Sequence, residues 1–408
     1  DVYKRQHLLC DAGISLHYIK GLHYNALGLR NEKYFRGKKM SLSLVLPCYN
    51  VMKYLPKCLD SIFKNDCNDI EIILVNDGSS DDIGGGLSQY FNKDNCDHNI
   101  EFEYKDARIK IIHTCNSGVS AARNTGIENA TSDYIVFIDP DDTIKENYFS
   151  TIKAFMTSTS VDVAILGFYQ IVEDKDGNVV KEGEVFPQKN YISNSVEETV
   201  RTVLPKYLGY SVEDILEWVN STEAISKRLE WGAVWRNVYR RDFLNKNQIR
   251  FNPSIRLNED SMFNAMCFSR AQKIRTLNKG FYCYTIRPSG AFMKKRDAEL
   301  VGNKMALLEA RSNIVKDLNE RGFNFSVKDY AGSNVMSCFE LIIKMPFSAR
   351  RETKKYISNL LVKESIKILP FTGRKKVDIP LLALKCNLQA LMIYAVNLGK
   401  LFGVQFQL

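Results

Sequence analysis

The chain has 408 residues, 45% hydrophobic and 25% charged, with a formal net charge of +9. This make-up suits a globular protein of two or three domains and excludes disordered and fibrous classes. Ten cysteines are scattered singly with no CxxC pair, which excludes a zinc ribbon or dithiol redox motif and fits a reduced, cytosolic compartment.

The first forty residues lack the compact apolar core of a signal peptide. The first strong strand follows Met40, so Met40 is read as a natural start and 1–39 as an extension without an assigned role. From Ser41 to about Gly167, short apolar runs alternate with helical stretches. Strands are predicted at 42–47, 70–77, 109–114, 134–139 and 161–168, with helices at 54–65 and 118–130. Strands separated by crossover helices imply an α/β fold, a mostly parallel sheet covered on both faces.

Residues 170–230 read as a charged insertion with a hairpin near "EDKDGN" and helices after Ser195. The segments 231–244 and 256–271 read as two helices. Beyond about Ala298 the pattern is helical, giving three parts: 1–39, 40–297 and 298–408.

In open α/β sheets, ligands collect beyond the carboxyl ends of the strands. Those ends are "PCYN" (47–50), "NDGSSD" (76–81) and "DPDD" (139–142). Asp139 and Asp141, with Pro140 between them, can aim carboxylates at one place. Such oxygen-rich sites suit Mg²⁺ or Mn²⁺ shared with a substrate's phosphates. The alternative is that these aspartates cap a helix starting near Thr143, with Asp142 the best placed to do so. Asp77 reads either as an Asx-turn residue or as an acceptor for the N3–H of a pyrimidine. Trp231 and Trp235 are candidates to stack on a sugar face, although tryptophans four apart are more often core.

Four stretches, "SLVLPCYN", "VNDGSSDD", "NSGVSAARNTGI" and "FIDPDD", follow one another in order and spacing. Together they resemble the family 2 glycosyltransferases, strongly over about 42–145 and more loosely through "WRNVYRRDFL" and "NEDSMF" to about 290. The resemblance implies the GT-A fold, inverting chemistry, a nucleotide-diphospho-sugar donor, often UDP-linked, and Mn²⁺ or Mg²⁺. It implies that Pro47, Tyr49 and Asn50 wall the nucleotide pocket, with Ser79 and Pro140 in the same donor-side set. Asp77 is expected to bind the base, and Arg123 to hold Asp77 or the nucleotide. Asp139 is expected near the ribose or the metal, Asp141 on the metal, and Asp260 as catalytic base with Glu259 as neighbour or substitute. Two departures stand out: Asn237 replaces a lysine common at that position, and no histidine follows His113 to complete a metal site. The basic loop 287–296 is a candidate to close over the diphosphate.

Nearly all the excess charge lies after Glu340, with about twelve Lys/Arg against about four Asp/Glu. The segment 379–403 reads as an amphipathic helix with Lys385, Gln389, Asn397 and Lys400 on one face, preceded by "GRKK". Its two readings are peripheral contact with anionic lipid through 373–403, at the inner face of the plasma membrane, and packing against the protein or a homo-oligomer partner. Nucleic acid is not an expected partner. The expected function is sugar transfer to a glycan or lipid-linked acceptor in surface polysaccharide synthesis. A sugar-nucleotidyltransferase would want a Gly-rich phosphate loop after the first strand, which "PCYNVMKYLP" does not supply. An inactive glycan-binding scaffold would not need Asp77, Asp141 and Asp260.

Overall fold

A computed structural model describes residues 40–408, apart from 82, 84–86, 88–89, 91–98, 222–223, 289–298 and 402–408. The extension 1–39 therefore lies outside the described residues, as does most of the basic loop 287–296. Residues Ser41–Leu408 form one compact unit.

The sheet grows from β1 (Leu42–Cys48), whose seven residues are all buried. A strand buried on both faces needs cover on both, and the next elements supply it. Helix α1 (Leu55–Ile62) turns Leu55, Cys58, Leu59 and Ile62 inward at helical spacing. Strand β2 (Ile70–Asp77) pairs parallel to β1 from Leu42↔Ile70 to Cys48↔Asn76. Strand β3 (Ile100–Tyr104), which the sequence reading missed, forms an antiparallel edge on β4 (Ala107–Thr114). Helix α2 (Val119–Asn129) then crosses back over the sheet. Gly126 lets it approach closely, since a Cβ there would collide with Val45. Strand β5 (Tyr134–Phe137) pairs parallel to β1 on the side opposite β2.

After β5 come β6 (Thr143–Ile144), α3 (Tyr148–Thr159) and β7 (Val163–Glu173). The hairpin expected near "EDKDGN" joins β7 to β8 (Val179–Val185), with Gly177 at φ 84° in its turn. The helices expected after Ser195 are α4 (Val196–Thr202), α5 (Pro205–Leu208) and α6 (Val212–Val219), preceded by the short β9 (Ile192–Ser193). The Ser195 side chain accepts a bond from Glu198 N and so caps α4.

The segment 231–244 is not one helix. It forms a 3₁₀ turn at Val234–Arg236, strand β10 (Asn237–Arg240) and α7 (Arg241–Lys246). Strand β10 lies antiparallel between β5 and β7, and this central place decides its conformation over local helical pattern. Helix α8 (Glu259–Phe268) follows as expected, and then β11 (Ile274–Ile286), parallel to β7. The main strand order is β3-β4-β2-β1-β5-β10-β7-β11-β6, a mixed, mostly parallel sheet.

The remainder is helical: α9 (Leu300–Glu320), α10 (Ala331–Lys344), α11 (Arg350–Ile357), α12 (Leu360–Ile368), α13 (Lys375–Lys385) and α14 (Gln389–Leu401). The polar face expected on 379–403 is turned inward rather than to solvent. Gln389 is buried beside Ile393 and Val396, and Asn397 donates to Met345 O and Ile393 O. The side chain of Lys400 lies outside the described residues. Among the described residues, no helix is long and apolar enough to cross a membrane.

Candidate active site

The carboxyl ends of β2, β1 and β5 lie side by side, so the three polar loops share one rim. The first two loops are laced together. Asn50 N donates to Ser79 Oγ at 3.1 Å, and Asn50 Oδ1 accepts from Ser80 N at 2.8 Å. Met52 N donates to Asp81 Oδ2 at 2.8 Å. Asn50 takes φ 52°, a conformation asparagine tolerates, to make this bend. The Tyr49 ring is left exposed above the buried Pro47.

Asp77 ends β2 and is buried. Its two oxygens accept from Ser117 N and Gly118 N, both at 2.8 Å, just before α2. The backbone amides at a helix start favour a carboxylate there. Of the two roles expected for Arg123, holding Asp77 or the nucleotide, the first falls to the 117–118 loop instead. Gly78 makes the loop possible: it sits at φ 68°, and a Cβ would come within 2.7 Å of Asn116 N.

Beyond β5, Ile138 N donates to Val45 O, carrying the third loop alongside β1. Asp77 ends the strand on one side of β1 and Asp139 follows the strand on the other, so both stand at the same rim of the sheet. Asp142 does not cap a helix, because Thr143 enters β6 and the next helix starts at Tyr148. Instead Asp142 is buried and accepts from Tyr282 Oη at 2.9 Å and Thr285 N at 2.8 Å. Tyr282 Oη in turn accepts from Asp139 N at 3.0 Å. Pro140 is buried, so it shapes the loop and presents no face to a ligand. The Asp141 side chain is 42% exposed and faces Arg287 at 3.5 Å, while Arg287 also pairs with Glu173 at 3.1 Å. Burial, and then the negative charge of Asp139, hold the Asp141 carboxyl above the usual carboxylate range against the pull of Arg287.

The hub is Arg123, a buried side chain on α2 rather than a surface ion pair. Its guanidinium donates to Asp139 Oδ1 at 3.0 Å and to Asp260 Oδ1 at 2.7 Å, and stands 3.6 Å from Glu259 Oε1. Asp260 Oδ2 also accepts from Val234 N at 3.2 Å. One cation thus joins the third rim loop to the acidic start of α8. Three carboxylates around one guanidinium leave excess negative charge in a partly dehydrated place. Burial and the repulsion of Asp260 push the Glu259 carboxyl up to about 7, and burial also raises that of Asp260.

Beside this cluster, Trp235 stacks on Tyr282 and Tyr284 with centroids 4.5 and 5.0 Å away. It is core; Trp231 is 42% exposed against Phe168 and Tyr284. A buried Glu230–Arg236 pair at 3.3 Å and the bond from Asn264 Nδ2 to Gly232 O fix the 230–236 loop against α8. Asn237 is buried, bonded to Tyr239 Oη and Asn264 Oδ1, so it reaches no phosphate or acceptor.

The oxygen donors fit a divalent ion of the Mg²⁺ or Mn²⁺ type, which takes one or two carboxylates and completes its shell from phosphate and water. Asp141 has a half-exposed, electron-rich carboxylate for that purpose, whereas Asp139 has one oxygen committed to Arg123. Among the described residues no group of three His, Cys, Asp or Glu side chains gathers to hold a metal.

An open α/β sheet with these three loops at its rim defines the GT-A class of folds. Residues 43–216 match the glycosyl transferase family 2 model. The glycosyltransferase EpsJ of Bacillus subtilis is 31% identical over 61% of this chain and 62% of its own length. The glycosyltransferase GlyA of Streptococcus pneumoniae is 32% identical over 60% of this chain and 30% of its own. The chain therefore spans less than two thirds of either relative. Among solved structures, residues 1–349 of Staphylococcus aureus TarS, a poly(ribitol-phosphate) β-N-acetylglucosaminyltransferase, share the fold. The TM-score is 0.51 at 17% identity, covering 90% of this chain and 93% of that one. The same fragment solved with UDP-GlcNAc gives the same TM-score.

Proposed function

We propose that this protein is an inverting glycosyltransferase that moves a sugar from a UDP-linked donor to a hydroxyl of a glycan or lipid-linked acceptor in surface polysaccharide synthesis. The observation that carries the reading is the Arg123 hub, which ties Asp139 on the donor side to Glu259 and Asp260 on the opposite wall. UDP-GlcNAc, bound by the TarS fragment, is the first donor to try.

Each residue then has a task. Asp77 accepts from the 117–118 amides and from Thr114 Oγ1, which leaves a lone pair on Oδ2 to accept the base N3–H. Tyr49, Asn50 and Ser79 form the wall beside the base. Asp141 would hold a divalent cation, which would supply positive charge to the departing diphosphate. Arg287, already drawn to Asp141, adds a second positive group facing that diphosphate. Asp260, oriented at both oxygens by Arg123 and Val234 N, receives the acceptor hydroxyl's proton. The acceptor oxygen bonds to the anomeric carbon from one face while the diphosphate oxygen leaves from the other.

Incubation with a panel of nucleotide sugars, scored for released nucleotide diphosphate, tests the assignment. Release of UDP from at least one UDP-sugar is expected. Formation of pyrophosphate and nucleotide sugar from a nucleoside triphosphate and a sugar phosphate would instead make the protein a nucleotidyltransferase.

A further inference from the structure

The last two helices carry apolar side chains on both faces: Val377, Leu381, Leu384, Ile393 and Val396 are buried against the protein, and a second set stands exposed. In α14 the polar Gln389 points inward with its Oε1 unpartnered among the described residues, while Leu391 and Leu398 point outward. In α13, Ile379 and Leu382 do the same. Ile379, Leu382 and Leu391 are each more than half exposed. The spacings 379 and 382, then 391, 395 and 398, place each set on a single helix face. A helix in water alone would turn its glutamine out and its leucines in. A run of outward leucines on two consecutive helices marks a face covered by an apolar medium or partner.

Charge decides which. The exposed Arg374, Lys375 and Lys376 open α13, and the exposed ring of Phe371 lies beside them with Lys385 Nζ 4.9 Å above it. Asp378, the acidic residue of this stretch, is spent on Thr372 and Gly373. A second copy of the chain would bring two basic surfaces face to face, which costs association energy. An anionic bilayer meets both demands, taking leucines into its acyl boundary and lysines among its headgroups.

We propose that α13 and α14 form a peripheral docking face for anionic lipid, seated through Ile379, Leu382, Leu388 and Leu391 and held by Arg374, Lys375 and Lys376. This inference stands apart from the transferase reading, since neither helix contributes a residue to the site described above. Of the polar positions that suggested amphipathicity in the sequence, Lys385, Gln389 and Asn397 engage the protein, and the exposed apolar face is the one that meets lipid.

The test is co-sedimentation of the full chain with vesicles of phosphatidylglycerol and of phosphatidylcholine. Binding is expected to the first and at least about tenfold weaker to the second. Leu382→Glu/Leu391→Glu, and separately Arg374→Glu/Lys375→Glu/Lys376→Glu, should each weaken binding about tenfold or more while the melting temperature stays unchanged. Retained binding in both variants, or none by the parent protein, overturns the proposal. So does a concentration-dependent dimer in light scattering that Leu391→Glu dissolves, which would assign the face to a second copy.

Discussion

Arg123 and Asp260 meet at 2.7 Å across 137 residues of chain. Their contact brings together two acidic motifs that neither helical nor strand spacing relates, and several measurable consequences depend on it.

Replacing Arg123 by methionine leaves Asp139, Glu259 and Asp260 without their shared cation. Breaking a buried pair by removing one partner costs about 3–5 kcal/mol. Lysine keeps the charge but cannot fork between Asp139 and Asp260. Urea denaturation should therefore rank the parent above Arg123→Lys and Arg123→Met lowest. Equal midpoints for all three would mean that the hub does not organise the site.

The raised proton affinity of Glu259 predicts an acid limb in kcat/KM. Burial and Asp260 put this carboxyl at about 7, and the titration belongs to the Glu259–Asp260 pair rather than to either residue. Activity should rise with pH through that value, and Glu259→Gln should move the limb to lower pH. The same shift opposes folding. A carboxyl raised above its unfolded value of about 4.3 binds more protons in the native state, so its contribution to stability falls as pH rises from there through about 7. A limb that stays in place in Glu259→Gln would assign it to another group.

Far from the rim, Glu71 is fully buried at the start of β2. It accepts from Ser43 Oγ and from Thr131 N, and pairs with Lys110 at 2.9 Å. Burial alone would raise its carboxyl, but these bonds outweigh burial and hold it below the ordinary range. Its stabilisation is thus complete above the unfolded value of about 4.3 and is lost as pH falls through the lower folded value. Glu71→Ala should cost about 3 kcal/mol at pH 7, with a smaller difference from the parent in strong acid. A loss that does not shrink in acid would mean that packing, not charge, dominates there.

The cation assignment predicts cooperative stabilisation by ligand. UDP with Mn²⁺ should raise the melting temperature more than either alone, because binding to the native state adds about 2.7 kcal/mol at a hundredfold excess over Kd. In Asp141→Ala the metal-dependent part should vanish. An equal UDP shift with EDTA present would transfer the diphosphate-binding role to Arg287 and the backbone.

Much of this arrangement was legible in the sequence. Strands β1, β2, β4 and β5 announce themselves as apolar runs, and their polar ends had to share a rim once the connections were crossovers. Strand β10 was not legible. "NVYR" is flanked by residues that read as helical, and only its slot between β5 and β7 makes it a strand. The partners of Arg123 were equally hidden, since Asp139 and Asp260 lie 16 and 137 residues away. Tyr282 gave no signal at all: its bridge between Asp139 N and Asp142 exists only because β6 pairs with β11. Arg287 did stand at the head of the basic loop, but its partners Asp141 and Glu173 come from the two chain reversals beside it. The amphipathic reading of 379–403 rested on its polar positions, whereas the direction in which its leucines face is a tertiary choice.

The most direct measurement is single-turnover transfer by Asp260→Asn, run beside UDP titration calorimetry on the same variant. Nucleotide affinity within about twofold of the parent, with transfer slowed at least about a hundredfold, is the expected result. Transfer at the parent's rate would show that the acidic start of α8 does not take the acceptor's proton.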